Sequence, residues 1–282
     1  MKNTAEYYSQ QYNARANIPD HPYVFTRWTE QSAWVRRHNA GMYDLMYGES
    51  AGERLDIFPT REAHAPLIVF IHGGWWRSLD KFDFSMLAPA FTNAGLNVAI
   101  TNYTLAPEAS IEDIVQQQLR ALAWLFKNSE KYDIDKDRII VVGHSAGAHL
   151  AAMMMAANWS TYDMALPADL IKAGVLLSGL YDLEPVLHAD FVNVDLQLTL
   201  QRALTLSPSL MPLVQNMPFI TAVGGQESDE FKRQTQLIYQ AWNKNHQAEI
   251  SLPENNHLTI CDALCDADNA LFKAVITLAK SV

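Results

Sequence analysis

Short β-rich apolar runs alternate with longer segments of helical spacing along most of this chain, and few folds accommodate that order. The runs fall at 41–47, 54–58, 67–71, 97–101, 139–142, 173–178, 219–223 and 248–252. Between them, residues 82–93, 110–129, 146–157, 229–245 and 266–280 carry apolar side chains near a period of 3.6. Runs such as LIVFI and IIVV are apolar throughout, as strands covered on both faces must be. The expectation is an α/β fold: a mostly parallel sheet of about eight strands with helices on both faces, its first two strands being candidates for antiparallel pairing.

Two segments break the alternation. Residues 1–40 are rich in Tyr and Trp, and residues 181–216 mix Leu, Pro and Asp without a simple period. Long excursions from a compact domain usually form lids or binding loops, so we expect an N-terminal cover segment at 1–40 and a lid at 181–216. The 282 residues, 49% apolar, suit one domain spanning 1–282 better than two. A net charge of -10 lacks the basic footprint of nucleic-acid binding. The N-terminus shows no apolar core behind a basic start, and no stretch approaches the length of a membrane span, so no membrane association and a cytoplasmic location are expected. Cys261 and Cys265, four residues apart on an expected helix, are poorly placed for an unstrained disulfide.

The strongest local signal is Gly143-His144-Ser145-Ala146-Gly147, directly after the strand IIVV and directly before an apolar helix. A serine on such a bend is strained, and its glycine neighbours let strand and helix approach closely. The helix N-terminus then directs N–H groups toward the place where an oxyanion would form, which makes Ser145 the candidate nucleophile and Ala146 one oxyanion donor. His72-Gly73-Gly74-Trp75-Trp76, at the end of LIVFI, is the expected source of the other donors, assigned to Gly74 and Trp75. His72 is read as holding that loop rather than acting on substrate.

A serine at neutral pH needs a base, and the base needs an orienting carboxylate. His257 follows the last expected strand and precedes the last helix, in the chain order Ser, acid, His. The acid should lie in Gly224-Gly225-Gln226-Glu227-Ser228-Asp229-Glu230. Glu227, nearest the strand end, is the first choice and Asp229 the competitor, although Asp229 and Glu230 have an ordinary task at a helix N-terminus. Trp75, Tyr103, Tyr181, Phe191 and Leu258 follow strands or lie in the expected lid, so they are candidates to line a substrate pocket. Core packing is an equal reading for Tyr103 and Trp76. The aromatic N-terminal segment could instead face a second copy, which leaves a homodimer open.

With these residues in hand, the chain resembles the kynurenine formamidase (arylformamidase) group within the hormone-sensitive-lipase-like esterases of the α/β-hydrolase fold. The resemblance rests on H-G-G-x-W at His72–Trp76, Leu55 to Pro59 upstream, Asn102 to Glu108, and the loop from Gly225 to Phe231. It covers nearly the whole chain. The group's acid is an Asp standing just before a Ser, and Glu227 occupies that position here. The resemblance implies serine hydrolysis of a small carboxylic ester, with an aryl formamide such as N-formylkynurenine as the alternative substrate. An inactive relative serving as a binding module is the rival from another class. No cofactor and no metal are required by this chemistry: His257, Cys261 and Cys265 share helical spacing, but further ligands of matching geometry are not in evidence. The partner expected is a small-molecule ester or amide.

Overall fold

The computed structural model describes residues 4–213 and 215–282. Its eight strands are β1 (Met42–Met46), β2 (Arg54–Phe58), β3 (Ala65–Ile71), β4 (Asn97–Thr101), β5 (Ile134–His144), β6 (Ala173–Leu177), β7 (Phe219–Gly224) and β8 (His246–Leu252). They form one sheet in the order β1-β2-β4-β3-β5-β6-β7-β8. The β1/β2 and β2/β4 pairs are antiparallel, and every later pair is parallel. Position in the sheet explains the sequence pattern. Central β3, β4, β6 and β7 are buried at every residue, while the edge strands β1 and β8 are half exposed.

Helices cover the sheet: α1 (Ala5–Tyr12), α2 (Ala14–Asn17), α3 (His21–His38), α4 (Ala88–Asn93), α5 (Ile111–Lys127), α6 (Ala146–Ala156), α7 (Trp159–Tyr162), α8 (Asp190–Leu196), α9 (Leu200–Thr205), α10 (Asp229–Ala241) and α11 (Ala270–Ser281). The apolar α6 packs on β3, β5 and β6, and α11 on β6, β7 and β8. Ser110 and Asp113 close a reciprocal cap at the start of α5, satisfying N–H groups that the helix leaves free. Among the described residues, no helix is long and apolar enough to cross a membrane.

Several elements differ from the expected spans for local reasons. The segment 82–93 begins as a 3-10 helix, Lys81–Leu87, and turns α-helical only at Ala88, with Pro89 in the first turn. Lys81 is drawn inward there to reach Asp44 Oδ1 (2.7 Å) and the fully buried Asp56 (3.1 Å). Strand β5 starts at Ile134, because Ile134 pairs with Ala65 across an irregularity in β3. The last helix starts at Ala270 rather than 266, where the side chain of Asn269 caps the N–H of Leu271. Cys261 and Cys265 are not on a long helix: they flank the short 3-10 turn Asp262–Leu264 and both are free thiols.

The two segments outside the alternation pack on each other. Helix α1 contacts the 3-10 turn Glu184–His188 and α8. Trp28 of α3 is buried and donates its indole N–H to Asp262 Oδ1 (2.8 Å), while Arg27 grips the same carboxylate at 3.1 and 2.6 Å. The N-terminal helices are thereby tied to the loop that follows β8.

Candidate active site

The loops after β3, β5, β7 and β8 converge at one end of the sheet. After β5, Ser145 adopts φ 57° and ψ -122°, a conformation that a side-chain-bearing residue holds only when its surroundings enforce it. The enforcement is steric. A Cβ on Gly147 would overlap the carbonyl oxygen of Ile71, and one on Gly143 would overlap the carbonyl of Gly147, so strand and helix meet at a distance only glycine allows. Ser145 N–H donates to Leu177 O (2.8 Å) and Ser145 O accepts from Ala148 N–H (3.0 Å), which pins the bend from both sides.

His257 bridges Ser145 and Glu227. Its Nδ1–H donates to Glu227 Oε2 at 2.6 Å, and its Nε2 lies 3.0 Å from Ser145 Oγ. The other carboxylate oxygen of Glu227 accepts from Ser178 Oγ–H (2.6 Å) and Gly224 N–H (2.7 Å). All three side chains are buried, and Phe231 of α10 covers the imidazole with ring centroids 4.1 Å apart. Of the three carboxylates in this loop, Glu227 makes the contact. Asp229 lies in the first turn of α10, and Glu230 accepts from Tyr12 OH (3.1 Å) and Arg233 (2.9 Å).

The loop after β3 has left-handed φ at three successive residues, Gly74 (102°), Trp75 (57°) and Trp76 (55°). It is held by the buried Trp76 ring, by Ala106 N–H donating to Trp76 O (2.8 Å) and by Ser78 Oγ–H donating to Gly74 O (2.9 Å). Beneath it, the His72 imidazole lies between Gly73 O (2.8 Å from Nδ1) and Asn102 Oδ1 (2.9 Å from Nε2), and its ring stacks on Tyr103. A Cβ on Gly73 would stand 2.9 Å from Ser145 Cβ, so the loop lies directly against the nucleophile candidate. The N–H groups of Gly74 and Trp75 have no acceptor among the described residues, and Ala146 N–H, at the first position of α6, has none within its helix.

A cavity of about 540 Å³ opens over Ser145 and His257, walled by Trp75, Phe191 and Leu258. Tyr12 of α1 meets Trp75 edge-on (5.8 Å) and Phe231 edge-on (5.7 Å), and Trp75 meets Phe191 of α8 in the same way (5.7 Å). The N-terminal segment and the 181–216 segment thus form the aromatic roof of the site. The polar part of the rim holds Arg15, Arg77 and Asp195, with Arg77 paired to Asp195. A smaller cavity of about 190 Å³ reaches the other side of His257 and includes Glu227 and Asp20.

Two expected pocket residues are elsewhere. Tyr103 is buried under the loop, donating its hydroxyl to His72 O (3.0 Å), and Tyr181 is buried beside Gly179 and Ala148. Both stand at the ends of strands but turn their rings into the core, as Trp76 does. Sequence reasoning passed over Tyr12, Arg15 and His144. His144 Nε2–H donates to the carbonyl of His257 at 2.7 Å, which ties the elbow to the His257 loop. Burial and then the nearby His257 ring hold its imidazole well below the usual histidine range, so it stays neutral. Its place between Gly143 and Ser145 was the only sequence signal, whereas nothing local marked Tyr12 or Arg15.

Sheet order, a strained serine between strand and helix, and an imidazole delivered after the last strand define the chain as an α/β-hydrolase. The family described as BD-FAE matches residues 55–208. The kynurenine formamidase of Salmo salar is 31% identical over 247 residues, covering 84% of this chain and 81% of that one. The chain belongs to the kynurenine formamidase family. Among solved structures, a protein of a Silicibacter species provisionally called a thioesterase superposes with a TM-score of 0.83 at 30% identity, covering 95% of this chain and 98% of its own. Esterase B of Lactobacillus rhamnosis shares the fold at a TM-score of 0.70 and 18% identity, over 95% and 97% of the two chains.

Proposed function

We propose that this protein is a serine hydrolase acting on small carboxylic esters or aryl formamides through an acyl-enzyme, with Ser145 as nucleophile, His257 as base and Glu227 as the orienting acid. The observation that carries the reading is the unbroken chain Glu227 Oε2, His257 Nδ1–H, His257 Nε2, Ser145 Oγ, at 2.6 and 3.0 Å. Ser145 Oγ bonds to the substrate carbonyl carbon while its proton passes to His257 Nε2, and Glu227 steadies the imidazolium. The bond to the leaving group then breaks, and His257 returns the proton to that group. Water repeats the sequence on the acyl-enzyme: its proton goes to His257, the Ser145 ester bond breaks, and Ser145 regains a proton. The N–H groups of Gly74, Trp75 and Ala146 are the proposed oxyanion donors, each worth about 3 kcal/mol in such sites.

Trp75, Phe191 and Leu258 would receive the apolar part of the substrate, with residues 181–216 as the lid and 1–40 as a second cover. Kinship with kynurenine formamidases at 31% identity supports an aryl formamide as substrate. The ester reading draws on the same geometry, because one triad serves several leaving groups. The deciding experiment measures kcat/KM on short p-nitrophenyl acyl esters and on N-formylkynurenine with the same preparation, alongside labelling by an active-serine phosphonate. Label recovered on Ser145 is expected. An unlabelled chain that cleaves neither substrate would instead fit a binding protein of this fold.

A further inference from the structure

The rim of the larger cavity carries two cations and one carboxylate: Arg15, Arg77 and Asp195. Arg77 is committed to Asp195. Arg15 has no carboxylate partner among the described residues. Its guanidinium donates to Ser78 Oγ (2.8 Å) and lies 5.1 Å from the centre of the Phe25 ring. Partial desolvation and then repulsion by Arg77, which lines the same cavity, lower its pKa below the ordinary arginine value. The rim of the cavity over Ser145 therefore offers one guanidinium without a carboxylate of its own, in a chain whose net charge is -10. The smaller cavity beyond His257 is lined by Asp20 and Glu227 with no Lys or Arg. A compact space of about 540 Å³ is on the order of 10 Å across, so a small substrate at Ser145 can reach this rim with its far end.

We propose that Arg15 is a specificity residue that binds a carboxylate carried by the substrate at the end remote from the scissile carbonyl. The assignment rests on the hydrolase reading for what happens at Ser145, but the anion site itself does not. The fork of a guanidinium matches a carboxylate in two parallel hydrogen bonds, and Ser78 and Phe25 hold this one ready. A side chain placed for packing alone would do as well with an uncharged amide. Arg15 belongs to α2, in the cover segment, so the same element that roofs the cavity would also choose among its substrates.

The test compares charged and uncharged substrates of matched shape. Mono-p-nitrophenyl glutarate against p-nitrophenyl valerate places the carboxylate on the acyl side; para-acetoxybenzoate against para-acetoxybenzamide places it on the leaving group. At low salt the unmodified protein should favour the charged member of one pair, and that pair identifies the side. Arg15→Gln should cut the charged-to-neutral ratio of kcat/KM about fivefold or more, mainly through KM, with partial recovery in Arg15→Lys and a smaller ratio at high salt. A ratio that Arg15→Gln leaves unaltered in both pairs overturns the assignment. A second arm needs no turnover: calorimetry on Ser145→Ala with phenylbutyrate and phenylbutyramide. Equal affinity for acid and amide overturns the anion site. Uncleaved esters combined with tighter binding of the acid would refute the hydrolase reading and leave the anion site standing.

Discussion

Replacing Glu227 by Gln changes one oxygen to a nitrogen and tests the orientation of His257. Oε1 of Glu227 accepts from Ser178 Oγ–H and from Gly224 N–H. The backbone N–H can only donate, so the Gln oxygen must stay on that side and its NH₂ must face His257 Nδ1. Two donors cannot share a hydrogen bond, and the imidazole is driven to carry its proton on Nε2 instead. That tautomer presents N–H, not a lone pair, to Ser145 Oγ, 3.0 Å away. A wrong tautomer of this kind lowers kcat by about 10⁴, or about 5.5 kcal/mol in the barrier. The fold should survive, since the contacts to Ser178 and Gly224 persist. The assay is kcat on a short p-nitrophenyl ester, with circular dichroism and Tm as controls and nitrogen NMR of His257 to read the tautomer. A drop below about tenfold, or an equal drop in Asp229→Asn, would refute the reasoning.

Gly147→Ala should yield little soluble protein, because its Cβ would overlap the Ile71 carbonyl in rigid backbone; a normal yield with unchanged Tm would show that the elbow can relax. Asp56 is fully buried against Arg36 and Lys81, and Asp56→Ala should cost about 3–5 kcal/mol and lower Tm by about 10 °C, whereas a loss under about 2 °C would mean the two cations find other partners. His72, His144 and His149 are buried, and desolvation lowers the pKa of all three, that of His149 to about 4. As pH falls below roughly 6.5 the unfolded chain takes up protons that the folded chain refuses, so stability should decline by up to about 1.4 kcal/mol per pH unit for each histidine. For His149 that window runs down to about pH 4; Tm measured from pH 7 to pH 5 should fall, and less so in His149→Gln.

Much of the fold was legible because burial leaves a signature in composition. Central strands must be apolar on both faces, and β3, β4, β6 and β7 read as continuous runs for that reason. Boundaries were less legible, because they depend on partners distant in the chain. Ile134 becomes strand by pairing with Ala65, and Lys81 tightens a helix start to reach Asp56. The side-chain directions of Tyr103 and Tyr181 were equally hidden, since a tyrosine at a strand end can face either cavity or core.

By itself, the order of residues determined the alternation of strand and helix and the glycine-flanked serine between them. Both follow from local sterics and from the period of apolar side chains. Only the tertiary structure decided which carboxylate meets His257, that His144 holds its carbonyl, and that two residues more than a hundred positions before Ser145 reach its surroundings, Tyr12 by packing on Trp75 and Arg15 by lining the cavity. Those contacts join segments far apart in the chain, and such proximity is set by how the whole sheet and its covers pack, which no short stretch of sequence encodes.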